Sequence, residues 1–361
     1  MTSSYGKTGD LLARLLEKGR DVAARTAELA SEFSRHRVSV RANLEESDLI
    51  YQVDPAMLEG VAMPSVSAID GAHIADSRAI GDICAAVAVA VGPGQEPRSE
   101  DWMGTVPRNA RNKEILTGIM SAMEIRLAAS SDADLVLIDG SMTSGLINIT
   151  KAIALAGKGN SELEQMALAL KTAEMRDAAM EVLTSKRFVA VPKYTTTNKE
   201  FVQNLPKSLR DFDGRTVATM ALQPGEMTTM FGGKDSDPRS FQDKKRQVSN
   251  SLGFSDAEYA EFVLASTSVA WSYYRPHEWT PAFRFDVPPA LADDVDHGRQ
   301  VLKTLYETTL SPGIREPLPL YIADTKAKQI SVGVSPIMDL AAVDYQEDDE
   351  ALILMIMGYR T

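Results

Sequence analysis

The chain has 361 residues, 44% of them hydrophobic, and a formal net charge of −12. That length allows one large domain or two ordinary ones, with apolar content sufficient for a core that needs neither disulfides nor a metal staple. The acidic balance argues against a free-standing nucleic-acid binder, because non-specific affinity comes from Lys and Arg neutralising phosphates; any nucleic acid must be held locally or delivered by a partner.

The single cysteine, Cys84, excludes an intrachain disulfide framework, and its setting in DICAAVAVAV predicts a buried structural thiol. The N-terminus lacks a signal-peptide pattern and no apolar run reaches the ~18 residues of a membrane span. A soluble, cytoplasmic protein without a membrane partner is therefore expected.

Residues 8–33 carry Leu11, Leu12, Leu15, Leu16, Val22 and Ala23 among charges and predict a long amphipathic helix. It either packs on its own core or serves as an arm for a dimer or partner contact. Residues 65–70 read as a short strand ending at Asp70-Gly71, with DICAAVAVAVG as its apolar neighbour in a hairpin or meander. GPGQEPRSEDWMGTVPRN reads as a Pro/Gly-rich loop. In KEILTGIMSAMEIRLAASS, Ile115, Ile119, Met123 and Leu127 recur at helical spacing, with Glu124 beside the stripe. DLVLI is a compact apolar run, a buried strand ending at Asp139-Gly140.

Residues 147–184 read as helical and RFVAVPK as a strand. The loop-rich region that follows gathers Lys234, Arg239, Lys244, Lys245 and Arg246, which suit a solvated loop about as well as a phosphate contact. FVLASTSVAWSYYRP and PAFRFDVP suggest further strands. Residues 294–309 and 322–329 look helical, and ALILMIMGY reads as a helix or an edge strand. No internal repeat or clean linker divides the chain.

Two strand-terminal Asp-Gly pairs, with a helix between them bearing a core-flanking glutamate, place Asp70, Glu124 and Asp139 where strand ends meet one helix face. Asp324, in LYIADTKA, is a fourth acid. Singly these signals are weak, since Asp-Gly after a strand is ordinarily a turn and a helix glutamate is ordinarily solvated. As a cluster they suit Mg²⁺ or Mn²⁺, which take oxygen ligands. Two such ions about 3.5–4 Å apart activate a water on one side of a phosphodiester and stabilise the leaving oxygen on the other.

With their surroundings these residues resemble the NurA nuclease family. The matching blocks are AIDG, MEIRLA followed by LVLIDGS, VAVPKYTTT and PLPLYIADTKAKQI, in the family's order from about residue 65 to residue 330. The resemblance implies an α/β fold with a ribonuclease-H-like core, a mixed β-sheet flanked by helices. Here it would carry an N-terminal helical arm over residues 1–45 and helical insertions within a nuclease domain over residues 46–361. It implies a DNA nuclease dependent on Mn²⁺ or Mg²⁺, a homodimer, working with a HerA-type hexameric ATPase. Asp70, Glu124 and Asp139 are then metal ligands, and Lys193, in VPKYTTT, steadies the scissile phosphate. Many family members place a Tyr and, eight residues later, a His in the late block; the matching positions here are Glu316 and Asp324. Asp324 replaces the histidine as an oxygen ligand, whereas Glu316 reads as a surface acid. Repair and anti-phage settings both fit the family.

Among other polar residues, His73, three residues after Asp70, reads as a loop histidine that makes local hydrogen bonds or reaches the site, and His277 lies among aromatics that form core or stack on single-stranded bases. Arg275 and Arg284 suit backbone phosphates or structural ion pairs; Lys326 and Lys328 suit phosphate or water. Two alternatives compete. An actin- or sugar-kinase-like ATPase would need a second comparable half and a glycine-rich adenosine loop, neither evident after residue 190. A non-catalytic subunit with a silent site is disfavoured by three acids at metal positions.

Overall fold

A computed structural model describes residues 8–92, 94, 96–193, 198–232 and 252–344. Its strands are Ile50–Gln52 (β1), Val66–Arg78 (β2), Gly81–Val91 (β3), Arg98–Val106 (β4), Leu135–Asp139 (β5), Phe188–Val191 (β6), Glu226–Thr228 (β7), Phe231–Gly232 (β8), Ala270–Arg275 (β9) and Phe283–Val287 (β10). The helices that matter below are Thr8–Glu46 (α1), Pro55–Leu58 (α2), Asn112–Ala129 (α3), Ser144–Leu155 (α4), Glu162–Ala169 (α5), Ala173–Thr184 (α6), Gly214–Ala221 (α7), Asp256–Thr267 (α8), Pro289–Ala292 (α9), Val295–Glu307 (α10) and Leu318–Asp344 (α11).

The strands form one mixed ten-stranded sheet, ordered β1-β7-β9-β10-β6-β5-β2-β3-β4, with β8 on β9. β2, β3 and β4 are an antiparallel meander; β5 and β6 continue it in parallel on the free side of β2, and β10, β9, β7 and β1 complete it antiparallel. Alternation in β3 explains the layering. Ala86, Ala88 and Ala90 join the core beneath α3 to α6, while Val87, Val89 and Val91 join the core beneath α10 and α11. Every residue of β3 is buried, so a strand with a period of two lies covered on both faces.

The expected α/β sheet flanked by helices is present, with several local differences. β2 does not end at Asp70-Gly71. It runs on to Arg78, paired residue by residue with β3 from Ala68↔Val91 to Arg78↔Gly81. Buried backbone groups need partners, and the long apolar run of β3 supplies them, overriding the turn preference of Asp-Gly. The middle of the expected Pro/Gly-rich loop is β4, paired along the outer edge of β3 from Asp82↔Val106 to Ala90↔Arg98. FVLAST is helical, within α8, whose start is fixed by a capping box between Ser255 and Glu258. The long helical stretch is three helices, α4 to α6, the second capped by Ser161 with Glu164 and the third by Thr172. α11 is far longer than residues 322–329. The basic run from Lys234 to Arg246 and the segment ALILMIMGY lie outside the described residues.

α1 continues past Phe33 to Glu46. Leu12, Leu15, Leu16 and Val22 are all more than half exposed, whereas Phe33, Val40 and Leu44 are buried with Val217, Ala218 and Ala221 of α7. Arg41 fixes this buried end by donating from both guanidinium nitrogens to the Glu226 carboxylate, each at 2.7 Å. Among the described residues no helix is long and apolar enough to cross a membrane.

Candidate metal centre

Register brings the acids together. β2 and β5 are parallel neighbours with Ile69 opposite Ile138, so Asp70 and Asp139, one residue further on, lie side by side. Both follow the alternation of Ala68 and Leu137, which belong to the core under α11, and therefore point to that layer. α11 answers with Asp324, next to buried Ala323. Each of the three aspartates offers a carboxylate oxygen within 4.8 Å of the other two. Gly140, at φ 96°, makes the sharp exit after Asp139 that a residue with a Cβ would strain.

Lys193, two residues beyond β6, lies among them. Its Nζ is 2.9 Å from Asp139 Oδ2, 3.1 Å from Asp324 Oδ1, 3.3 Å from Glu316 Oε2 and 3.8 Å from Asp70 Oδ2. Its backbone is held by Arg215 of α7, whose guanidinium donates both to the Lys193 carbonyl and, at 3.0 Å, to that of Ala282. Nothing in the sequence pointed to Arg215. Glu316 is not a surface acid: its side chain is about one-fifth exposed and faces the same ammonium as the aspartates. Its spacing before Asp324 was visible in the sequence, but its place in the site was not.

Glu124 does not join the three-aspartate group. Gly71 faces the opposite side of β2 from Asp70, and a Cβ built there would fall 2.6 Å from Glu124 Oε1. The glutamate of α3 thus presses against the bare backbone of β2 from the other face. Burial, then the charge of Asp139, pushes Glu124 up to about 8, outweighing a hydrogen bond from the Gly71 backbone.

The electrostatics are those of too many acids for the cations present. Burial first, then Asp139, a hydrogen bond to Asp324 and the charge of Glu124, raises Asp70 to about 9, with Lys193 only partly offsetting them. Burial opposes ionisation of Asp324 too, but hydrogen bonds from Lys328 at 2.8 Å, Asp70 and Lys193 hold it below its usual value. Asp70 is the proton holder of that pair. Burial disfavours the Lys193 charge, yet Asp139, Asp70 and Glu316 together raise its pKa. Asp70 Oδ2 is buried and accepts no hydrogen bond. An orphaned carboxylate oxygen beside two further carboxylates is a donor set that fits a hard divalent cation.

The other polar residues resolve simply. His73 is not in a loop but within β2, and its contacts are tertiary, 3.3 Å from Thr117 Oγ1 and 3.4 Å from Met120 Sδ of α3; burial followed by Lys113 lowers its pKa. Arg275 donates to the carbonyls of Thr280, Thr219, Leu222 and Glu278, and Arg284 pairs with Asp286 at 2.7 Å, so both are structural. Asp286 in turn accepts from the Met142 backbone just after Asp139. His277 stacks in parallel on Trp279, centroids 4.4 Å apart, in a partly exposed position outside the core.

A mixed sheet that delivers one buried and two half-buried carboxylates from two parallel strands and a covering helix defines an α/β protein with a cation-binding centre. The chain belongs to the NurA family: the NurA domain matches residues 64–329. The fold is similar to the crystal structure of the NurA nuclease from Sulfolobus solfataricus, at 15% identity and a TM-score of 0.64, covering 93% of this chain and 98% of that one. It is also similar to a crystal structure of NurA bound to dAMP and manganese, at 11% identity and a TM-score of 0.58, covering 93% and 99%. A further NurA crystal structure matches at 12% identity and a TM-score of 0.56, covering 92% and 99%. No curated protein sequence matches the chain.

Proposed function

We propose that this protein is a cytoplasmic deoxyribonuclease that hydrolyses phosphodiester bonds with two divalent ions, Mn²⁺ or Mg²⁺. It acts as a homodimer on DNA delivered by a HerA-type hexameric ATPase, in end processing or in defence against phage. The observation that carries the reading is the convergence of Asp70, Asp139 and Asp324 within 4.8 Å around an orphaned, buried oxygen. The similar NurA bound to dAMP and manganese supports both the metal and the class of substrate. The single meander-and-crossover half disfavours a sugar-kinase-like ATPase, since the rest of the described sheet is wholly antiparallel.

Divalent ions held here supply an activated water and a Lewis acid at the leaving oxygen. The chain's own residues do the rest. Asp70, Asp139 and Asp324 bind from the α11 face, and Glu124 completes the acid set from the other side of β2. Asp70 and Glu124 hold protons near neutrality and would have to release them to hold a cation. Lys193 supplies positive charge for a phosphate, in a site shielded enough for that charge to count. A motor that feeds a strand into the site removes the need for strong intrinsic affinity, which agrees with a net charge of −12. The test is Asp70→Asn and Asp139→Asn in a Mn²⁺-dependent DNA degradation assay with the ATPase present. Both variants are expected to lose digestion; undiminished digestion by either overturns the assignment.

A further inference from the structure

Four carboxylates share one cation. Asp139, Asp324 and Glu316 lie within 3.3 Å of Lys193 Nζ and Asp70 at 3.8 Å, and three of these acids are the ones that converge for a divalent ion. A divalent ion and an ammonium drawing on the same oxygens repel each other, and the repulsion is strong where water is scarce. Occupancy by one therefore excludes the other.

The surroundings say which part of Lys193 can move. Arg215 clamps its carbonyl, so the backbone is fixed and the flexible four-carbon stem is the mobile part. Glu316 is the acid of the four that stands outside the convergent aspartate group, and its Oε2 is already 3.3 Å from Nζ.

Resting on the reading that the aspartates take a divalent ion, we propose that Lys193 is the counter-ion the aspartates keep when no divalent ion is bound. Glu316 is the positioning residue that receives its ammonium when the ion displaces it from Asp139 and Asp324. The ion is thus admitted by an internal exchange of cations, and the lysine stays beside the site instead of swinging into solvent.

The test is calorimetric titration of Mn²⁺ into the full chain, with thermal melts to establish that each variant is folded. Lys193→Met is expected to bind Mn²⁺ at least tenfold tighter than wild type, because the competing charge is gone. Glu316→Gln is expected to bind at least threefold weaker, because the lysine loses its alternative partner and stays on the aspartates. The double variant should match Lys193→Met, since Glu316 acts only through Lys193. Lys193→Arg keeps the charge and should keep the weakening by Glu316→Gln, which covers the case in which Lys193→Met does not fold. The inference is overturned if Lys193→Met binds no more tightly. It is equally overturned if Glu316→Gln weakens binding as much in the Lys193→Met background as in wild type, the result a direct ligand would give. Failure of the wild type to bind Mn²⁺ would overturn the nuclease reading itself, a different outcome from either.

Discussion

Gly71→Ala is the smallest change that tests how the site is built. The added methyl carbon would lie 2.6 Å from Glu124 Oε1 and 2.7 Å from Met120 Cγ, about 1 Å inside ordinary contact distance for both. Neither neighbour yields freely. Met120 is held at its sulfur by His73, 3.4 Å away, and Glu124 is buried in the α3 layer. The strand cannot retreat far, because Gly71 is paired to Ala88 of β3 and β2 is anchored to β5 up to Ile69, two residues away. Overpacking of this kind costs about 1–3 kcal/mol, and the larger part should appear as displacement of Glu124. A thermal melt and a Mn²⁺ titration on the same preparation measure the two effects. A lowered melting temperature together with weakened Mn²⁺ binding is expected; unchanged values for both would refute the claim that Gly71 exists to admit Glu124.

The raised carboxylates give a pH dependence with a definite sign. Asp70 and Glu124 titrate at about 9 and about 8 when folded and near 4 when unfolded, so between those values the native state holds protons that the unfolded chain has released. Their contribution is full below about pH 4 and is lost as pH rises through 8 to 9, so metal-free stability should fall over that window. Melts in chelator across this range should slope less steeply for Asp70→Asn than for wild type; equal slopes would count against the shift. Arg78 is almost fully buried, pairs with Asp76 at 2.6 Å, and also binds Asp339 of α11. Arg78→Met should cost about 2–3 kcal/mol in denaturant unfolding, and a change under a few tenths would sink the idea that this pair pins α11 to β2. Deleting residues 1–28 removes the exposed part of α1 and spares Phe33, which packs edge-on against Phe212 at 4.0 Å. The melting temperature should stay put and, on the proposal that the protein is a homodimer joined through this arm, solution mass should fall from dimer to monomer; a persistent dimer would show that the contact lies elsewhere.

The sequence carried the order of elements well and their ends poorly. Asp139-Gly140 was legible because an apolar run stops there and the glycine does adopt a left-handed turn. Asp70-Gly71 looked the same and is different in kind: the strand continues, and the glycine serves a packing contact with a helix fifty residues away that no local pattern encodes. β4 was hidden because an edge strand that buries one face only partly reads as polar, and RSEDWMGTV resembles a loop until β3 demands a partner. The buried end of α1 was missed because its inward positions, Phe33, Val40 and Leu44, are too sparse to form a visible stripe. Lys193 and Asp324 could be singled out only with the help of the family resemblance. Glu316 and Arg215 owe their roles to approaches across the tertiary fold, and their types and neighbours alone say nothing of them.

The spread of the aspartates along the chain has a consequence during synthesis. Asp70 and Asp139 emerge early, but Asp324 follows the first of them by 254 residues, the difference between their numbers. At ordinary elongation rates that interval is about 13–50 s. For most of it, once Asp139 has been made, the nascent chain holds two acids of the trio and lacks the helix that brings the third. A growing polypeptide therefore cannot assemble this centre until α11 has left the ribosome, and an enzyme built this way acquires its destructive chemistry only when that late helix folds into place.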